Sequence, residues 1–205
     1  MRAMRIACAV ALLCLVGACR GGDPGRANPE PSVAPLTAAP ANVTDISEAV
    51  IPLDQVSKSQ AAAVAQRVAT TEITLTYSRP VARGRQIFGA LVPYGKVWTP
   101  GADQATAVTF SRDVSIDEHP LAKGSYSVWT IPGPETWTFI FSKVPKAFHE
   151  SYPGEAQDAL RLEVRPEKTA HVETLTFDFP TVEGKDAVLR LAWGDVSVPL
   201  SVRVH

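Results

Sequence analysis

Thr71-Glu72-Ile73-Thr74-Leu75-Thr76-Tyr77 alternates polar and apolar residues without a break. A period of two places Ile73, Leu75 and Tyr77 on one face, with Glu72 and the threonines on the other. This is the pattern of a strand with one buried side. β-Branched and aromatic residues suit that pleated surface. Working outward, similar content recurs at residues 105–110, 126–131, 137–141, 160–164, 172–179, 188–193 and 196–204. Turn residues separate these runs: Ala122-Lys123-Gly124, Pro132-Gly133-Pro134, Pro153-Gly154, Glu183-Gly184 and Gly194-Asp195. Short strands at regular spacing predict an all-β fold, an antiparallel, jelly-roll-like β-sandwich of roughly 8–10 strands.

Two segments need arbitration. Gln60 to Ala69 is rich in Ala, which favours a helix. Yet Val64, Gln66 and Val68 alternate and lead through Thr70 into the next strand, so the expectation is a β-hairpin. Phe148 to Leu160 reads as a loop with one helical turn around Glu155 to Ala159. Thr138-Phe139-Ile140-Phe141 alternates poorly, as a strand covered on both faces would.

The other end of the chain is an address. Arg2 and Arg5 precede an apolar run from Ile6 to Val16, followed by Val16-Gly17-Ala18-Cys19. The run is too short for a membrane span, which needs roughly 20 apolar residues. The order matches a bacterial secretory signal ending in a small-residue site before Cys, and it resembles a lipobox. That resemblance implies a signal peptide over 1–18, cleavage before Cys19, and acylation of Cys19. Several acyl chains, at about 0.8 kcal/mol per buried methylene, would make the attachment permanent. Arg20 follows in place of the Asp that holds lipoproteins at the inner membrane. The expected location is therefore the cell envelope, at the outer membrane facing the periplasm if the host has two membranes.

Cys8 and Cys14 lie within the signal, so processing would leave Cys19 as the sole sulfur of the cysteine type. Neither a disulfide nor a thiolate metal site is expected, and stability must come from a packed core. Residues 19–47 read as a flexible tether, with Pro24, Pro29, Pro31, Pro35 and Pro40 among Gly, Ala, Asn and Ser. Residues 48–205 make a single domain by length. The formal charge of −1 becomes −3 once Arg2 and Arg5 are removed, so no nucleic-acid partner is indicated.

The densest chemistry lies between residues 77 and 106. Arg79, Arg83, Arg85 and Lys96 place four cations within eighteen residues, around Pro80 and Gly84. Arg forks suit carboxylates and phosphates. The cluster reads either as an anion pocket or as internal ion pairs, with Asp103 or Asp113, that pin a long loop. Tyr94 and Trp98 sit beside it in a Gly/Pro loop, where binding residues concentrate. Trp129, Trp137 and Trp193 fall on strands and read as core. His119, His149, His171 and His205 show no metal-ligand spacing, so neither a metal nor a cofactor is expected. Ser125 and Ser127 lack the Gly-x-Ser-x-Gly elbow, and no Gly-rich phosphate loop is present. Asp113, Asp117 and Glu118 suit a solvated hairpin turn.

The motifs Tyr77-Ser78-Arg79-Pro80, Arg83-Gly84-Arg85, Ile87-Phe88-Gly89 and Leu91 to Trp98 follow one another. Gly101 to Thr106, Phe110 to Val114, Gly124 to Ser127, Thr130 to Pro132, Trp137 to Phe141, Trp193 to Asp195 and Val198-Pro199 continue the series. This series resembles the bacterial domain-of-unknown-function family 2911 over essentially the whole domain from about residue 61. The resemblance implies a secreted or lipid-anchored β domain and no assigned activity. The chain departs from the family pattern at Asp103 and Gln104, where members carry Asn and Glu. If that Glu acts as an acid or base elsewhere, Gln104 cannot titrate in its place.

The resulting expectation is a non-enzymatic, lipid-anchored envelope domain. It would bind an anionic or glycan ligand, or an envelope protein, through Arg79, Arg83, Arg85, Tyr94, Lys96, Trp98 and Asp103. The alternatives are a hydrolase of envelope glycans or peptides using a carboxylate such as Asp103, and a purely structural domain.

Overall fold

A computed structural model describes residues 59–205. The expected signal peptide, Cys19 and the expected tether lie outside the described residues. Ten strands follow in order: β1 (Ser59–Val68), β2 (Thr71–Pro80), β3 (Ala107–Phe110), β4 (Val114–Ile116), β5 (His119–Leu121), β6 (Gly124–Ile131), β7 (Trp137–Ser142), β8 (Asp158–Val164), β9 (Glu167–Glu183) and β10 (Asp186–Val204). They form two antiparallel sheets, a six-stranded one ordered β1-β2-β3-β6-β7-β8 and a four-stranded one ordered β5-β4-β10-β9. The protein is an all-β sandwich.

The period-two stretch behaves as its pattern requires. Ile73, Leu75 and Tyr77 of β2 are buried, while Glu72 and Thr76 are exposed. Val64 of β1 pairs with Leu75, so the Ala-rich segment is a strand in a hairpin and its helix propensity is overridden. Tertiary pairing of an alternating face outweighs a few tenths of a kcal/mol per residue of local preference. Phe139, Ile140 and Phe141 of β7 are all buried. Phe139 and Phe141 join the main core between the sheets, whereas Ile140 packs with Trp129 and Ala105 on the outer face. The helical turn is a single 3-10 turn over Glu155–Gln157.

One expected turn is overturned. Gly194-Asp195 does not end a strand but lies inside the 19-residue β10, at a register irregularity opposite β9. Gly194 is left-handed at φ 59. Core-facing residues are Leu189, Leu191 and Trp193 before it, and Val198, Leu200, Val202 and Val204 after it. The parity changes from odd to even across an irregularity in which Ala192 to Gly194 of β10 faces Thr176 to Val172 of β9, so the surplus residues sit on β9 while the same face of β10 stays buried on both sides. That is a β-bulge, and glycine supplies the required backbone.

Between β2 and β3 the chain makes a long excursion over residues 81–106. It begins by docking on β9, where Val81 bridges Thr174 and the Ala82 amide donates to the Glu173 carbonyl at 2.7 Å. Trp98 and Thr130 then exchange backbone hydrogen bonds at 2.8 and 2.7 Å, extending the sheet alongside β6. The Thr99 hydroxyl donates to the Val128 carbonyl at 2.8 Å and the Thr106 hydroxyl to the Pro100 carbonyl at 2.7 Å, both in buried positions. Ile87, Phe88 and Val92 are buried in the main core. Apolar staples and satisfied polar groups thus fix a segment that has little regular structure of its own.

Candidate functional site

The 81–106 segment borders a cleft of about 760 Å³, within the range typical of small-molecule sites. Its lining includes Arg83, Arg85, Lys96, Trp98 and Asp103, five of the seven positions expected from sequence. Arg79 and Tyr94 are not among them. The Arg79 guanidinium reaches β9, donating to the Leu175 carbonyl at 3.1 Å and to the Thr176 hydroxyl at 3.0 Å. Tyr94 is exposed and lies over Gly89, where an added Cβ would meet its ring at 2.8 Å.

The three cations of the cleft are held differently. Arg85 caps the turn before it, donating through Nε to the Ala82 carbonyl at 2.8 Å and through Nη2 to the Val81 carbonyl at 2.6 Å. Its position is thereby fixed while the residue remains exposed. Arg83 is half-buried with φ 55 and donates its backbone N–H to Glu173 Oε1 at 2.7 Å. Lys96 is exposed and has no hydrogen-bond or ion-pair partner among the described residues. The expected ion pairs with Asp103 or Asp113 do not form among the described residues. Asp113 instead accepts the Lys123 amide at 2.8 Å in the turn before β6. The loop is pinned by carbonyls and by Glu173, because those acceptors are what the adjacent strand presents.

Trp98 and Trp193 form the aromatic part of the wall, stacked with centroids 6.1 Å apart and planes 19° apart. Phe88 packs edge-on to Trp98, Trp137 and Trp193 from the core side. Trp129, Trp137 and Trp193 are all buried, as core residues are. Trp98 is only half-buried. Asp103, at φ 63, is exposed, and its carbonyl accepts both the His149 amide at 3.0 Å and His149 Nδ1 at 2.8 Å. His149 also lines the cleft and had no signal in sequence, being 46 residues away from its partner.

Behind the cleft lies a charged clasp that sequence reasoning also missed. His171 of β9 bonds through Nδ1 to Asp195 Oδ1 and through Nε2 to Glu173 Oε2, each at 2.9 Å. Asp195 is the residue after the bulge glycine, so the bulge aims its carboxylate at β9. The hydrogen bonds to Glu173 and Asp195 raise the His171 pKa above its usual 6.5. Hydrogen bonds from His171 and from the Arg83 amide lower that of Glu173 below its usual 4.5.

A second hollow, about 840 Å³, lies against the β9–β10 hairpin and the β4–β5 turn. Several of its polar groups are matched to one another: Asp186 pairs with Arg203 at 2.7 Å, and Asp117 accepts the Ser201 amide at 2.8 Å. Among the described residues, no group of three His, Cys, Asp or Glu side chains is placed to hold a metal ion.

The architecture is that of an all-β domain whose largest irregular segment carries a cationic, Trp-walled cleft. The family described as protein of unknown function (DUF2911) matches over residues 59–202, and the chain belongs to it. No curated protein and no solved structure matches the chain.

Proposed function

We propose that this chain is a lipid-anchored cell-envelope protein whose β domain binds an anionic ligand without transforming it. The observation that carries the reading is the convergence of Arg83, Arg85 and Lys96 on one cleft with the Trp98–Trp193 stack, against a single lining carboxylate among the described residues, Asp103. Guanidinium and ammonium groups supply the charge, and Trp and the aliphatic residues supply apolar contact. A carboxylate hydrolase is less well served. Paired-carboxylate glycoside chemistry needs a second acid across the cleft, and His149 engages the backbone of Asp103 rather than its carboxylate. The leader pattern and Cys19 support the anchor and the envelope location.

Thermal-shift screening of the unacylated chain from residue 19 against carboxylated and phosphorylated envelope components tests the binding claim. A ligand at 100 times its Kd stabilises by about 2.7 kcal/mol, and Lys96→Glu should abolish that rise. A panel without any stabilising anion would overturn it. Cys19→Ala should move the native protein from the membrane fraction to the soluble one. Retention after a carbonate wash would reject the anchor.

A further inference from the structure

Five large hydrophobic residues are exposed among the described residues: Leu91 (44%), Tyr94 (45%), Val97 (40%), Phe148 (47%) and Val182 (38%). Two of them line the cleft and two more adjoin its lining residues in sequence. Leu91 and Val97 are part of its lining. Tyr94 lies between them in sequence. Phe148 neighbours the lining residue His149, their rings 4.4 Å apart, and bridges Gln104 beside Asp103. Single exposed apolar residues need no explanation, but a group at one edge does. Here Leu91, Tyr94 and Val97 are interspersed with Pro93, Gly95 and Lys96 along one loop, and Arg83 and Arg85 line the same cleft.

Protruding aliphatic and Tyr side chains set among Lys and Arg are the composition of an interfacial membrane contact. The apolar groups enter the headgroup boundary and the cations meet acidic lipid. A second observation concerns the path of the chain. Ser59, the first described residue, itself lines this cleft. The described residues therefore begin on the same face as the cationic cleft.

We infer that the cleft face docks on an anionic bilayer, with the Arg83, Arg85 and Lys96 cluster receiving a lipid phosphate while Leu91, Tyr94, Val97 and Phe148 enter the interface. This rests on the anion-binding reading of the cleft and names the source of the anion. Once the anchor holds the chain at a membrane, it supplies a high local concentration of the surface that the cleft recognises.

The unacylated Cys19→Ala chain from residue 19 distinguishes the two claims. It would be sedimented with vesicles of phosphatidylcholine alone and with one-third phosphatidylglycerol, and titrated separately with soluble glycerol phosphate. The expected result is at least tenfold stronger partitioning to the acidic vesicles, falling at high salt. Leu91→Glu with Val97→Glu should abolish it; both side chains are exposed, and an unchanged circular dichroism spectrum would confirm folding. Binding of glycerol phosphate with no vesicle partitioning would overturn the membrane inference and leave the anion site standing. Partitioning indifferent to the loop pair would place the contact elsewhere and overturn it as well. Failure with both probes would overturn the inference, and the wider anion panel would then decide the binding claim by itself.

Discussion

The Arg83 amide donates to Glu173 Oε1 at 2.7 Å across ninety residues of sequence, joining the cleft loop to β9. The same carboxylate holds His171 through its other oxygen, and the Glu173 carbonyl takes the next amide upstream, that of Ala82. One strand residue thus fixes the start of the loop at two points.

Replacing Glu173 with Ala leaves the Arg83 amide without this acceptor. The site is partly solvated, so the expected cost is about 1 kcal/mol, a fall of roughly 2–4 °C in Tm for a domain of this size. Amide hydrogen exchange at Arg83 should accelerate while exchange in the β6–β7 pair does not. Equal acceleration in both would show that the contact is not local to the loop.

The clasp also gives a pH signature. His171 has a raised pKa, so its contribution is complete below its ordinary 6.5 and disappears as the pH climbs through the higher folded value. Glu173 has a lowered pKa, so its contribution is complete above its ordinary 4.5 and disappears as the pH falls through the lower folded value. Both act together between those two ordinary values, where the loop should be most tightly held. A proton NMR titration should place the His171 midpoint above 6.5, and Asp195→Asn should bring it down. A midpoint at or below 6.5 would contradict the bridged geometry.

Gly194 and Gly184 form a matched pair, both at φ 59. A Cβ on Gly194 would sit 3.3 Å from Ile87 of the cleft loop, whereas one on Gly184 would meet nothing within 4 Å. Alanine at either position incurs the left-handed strain of about 1–2 kcal/mol. Gly194→Ala should be the more destabilising, with the excess reporting contact between bulge and loop. Chemical denaturation of both variants measures the difference, and Ile87→Ala, which removes the Cγ1 that the new Cβ would meet, should shrink it.

Two of the three buried indoles differ in their polar ends. Trp129 Nε1 donates to Ser127 Oγ at 2.9 Å, while Trp193 Nε1 is buried without a hydrogen-bond partner among the described residues. Each Trp→Phe change removes similar volume. Trp129→Phe should cost about 1 kcal/mol more, the net worth of its hydrogen bond. Equilibrium unfolding of both variants gives that comparison.

Much of the fold was legible because alternation is local. Ile73, Leu75 and Tyr77 announce a buried face within seven residues, and Val64 to Val68 does the same against the Ala-rich bias. The bulge was not legible. Gly-Asp has the same chemistry in a turn as in a bulge, and only pairing with β9 distinguishes them. The odd-to-even shift from Trp193 to Val198 was the available clue. In the site, Arg83, Arg85, Lys96, Trp98 and Asp103 were found because they share one segment. His149, His171 and Glu173 arrive through tertiary pairing, which spacing along the chain does not encode. Arg79, one alternation away from the others, is drawn to the Leu175 carbonyl by strand adjacency.

Thr76 at the departure of the long excursion is paired directly with Ala107 at its return. The β2–β3 ladder therefore closes on residues outside the excursion. Heritable variation at the exposed positions of that interval can reshape the cleft while the strands on either side keep their register. The same economy invites grafting: a loop transplanted between two members of the family would enter and leave through neighbouring, already paired residues, and would need a Glu173-like acceptor together with apolar residues that fill the places of Ile87, Phe88 and Val92.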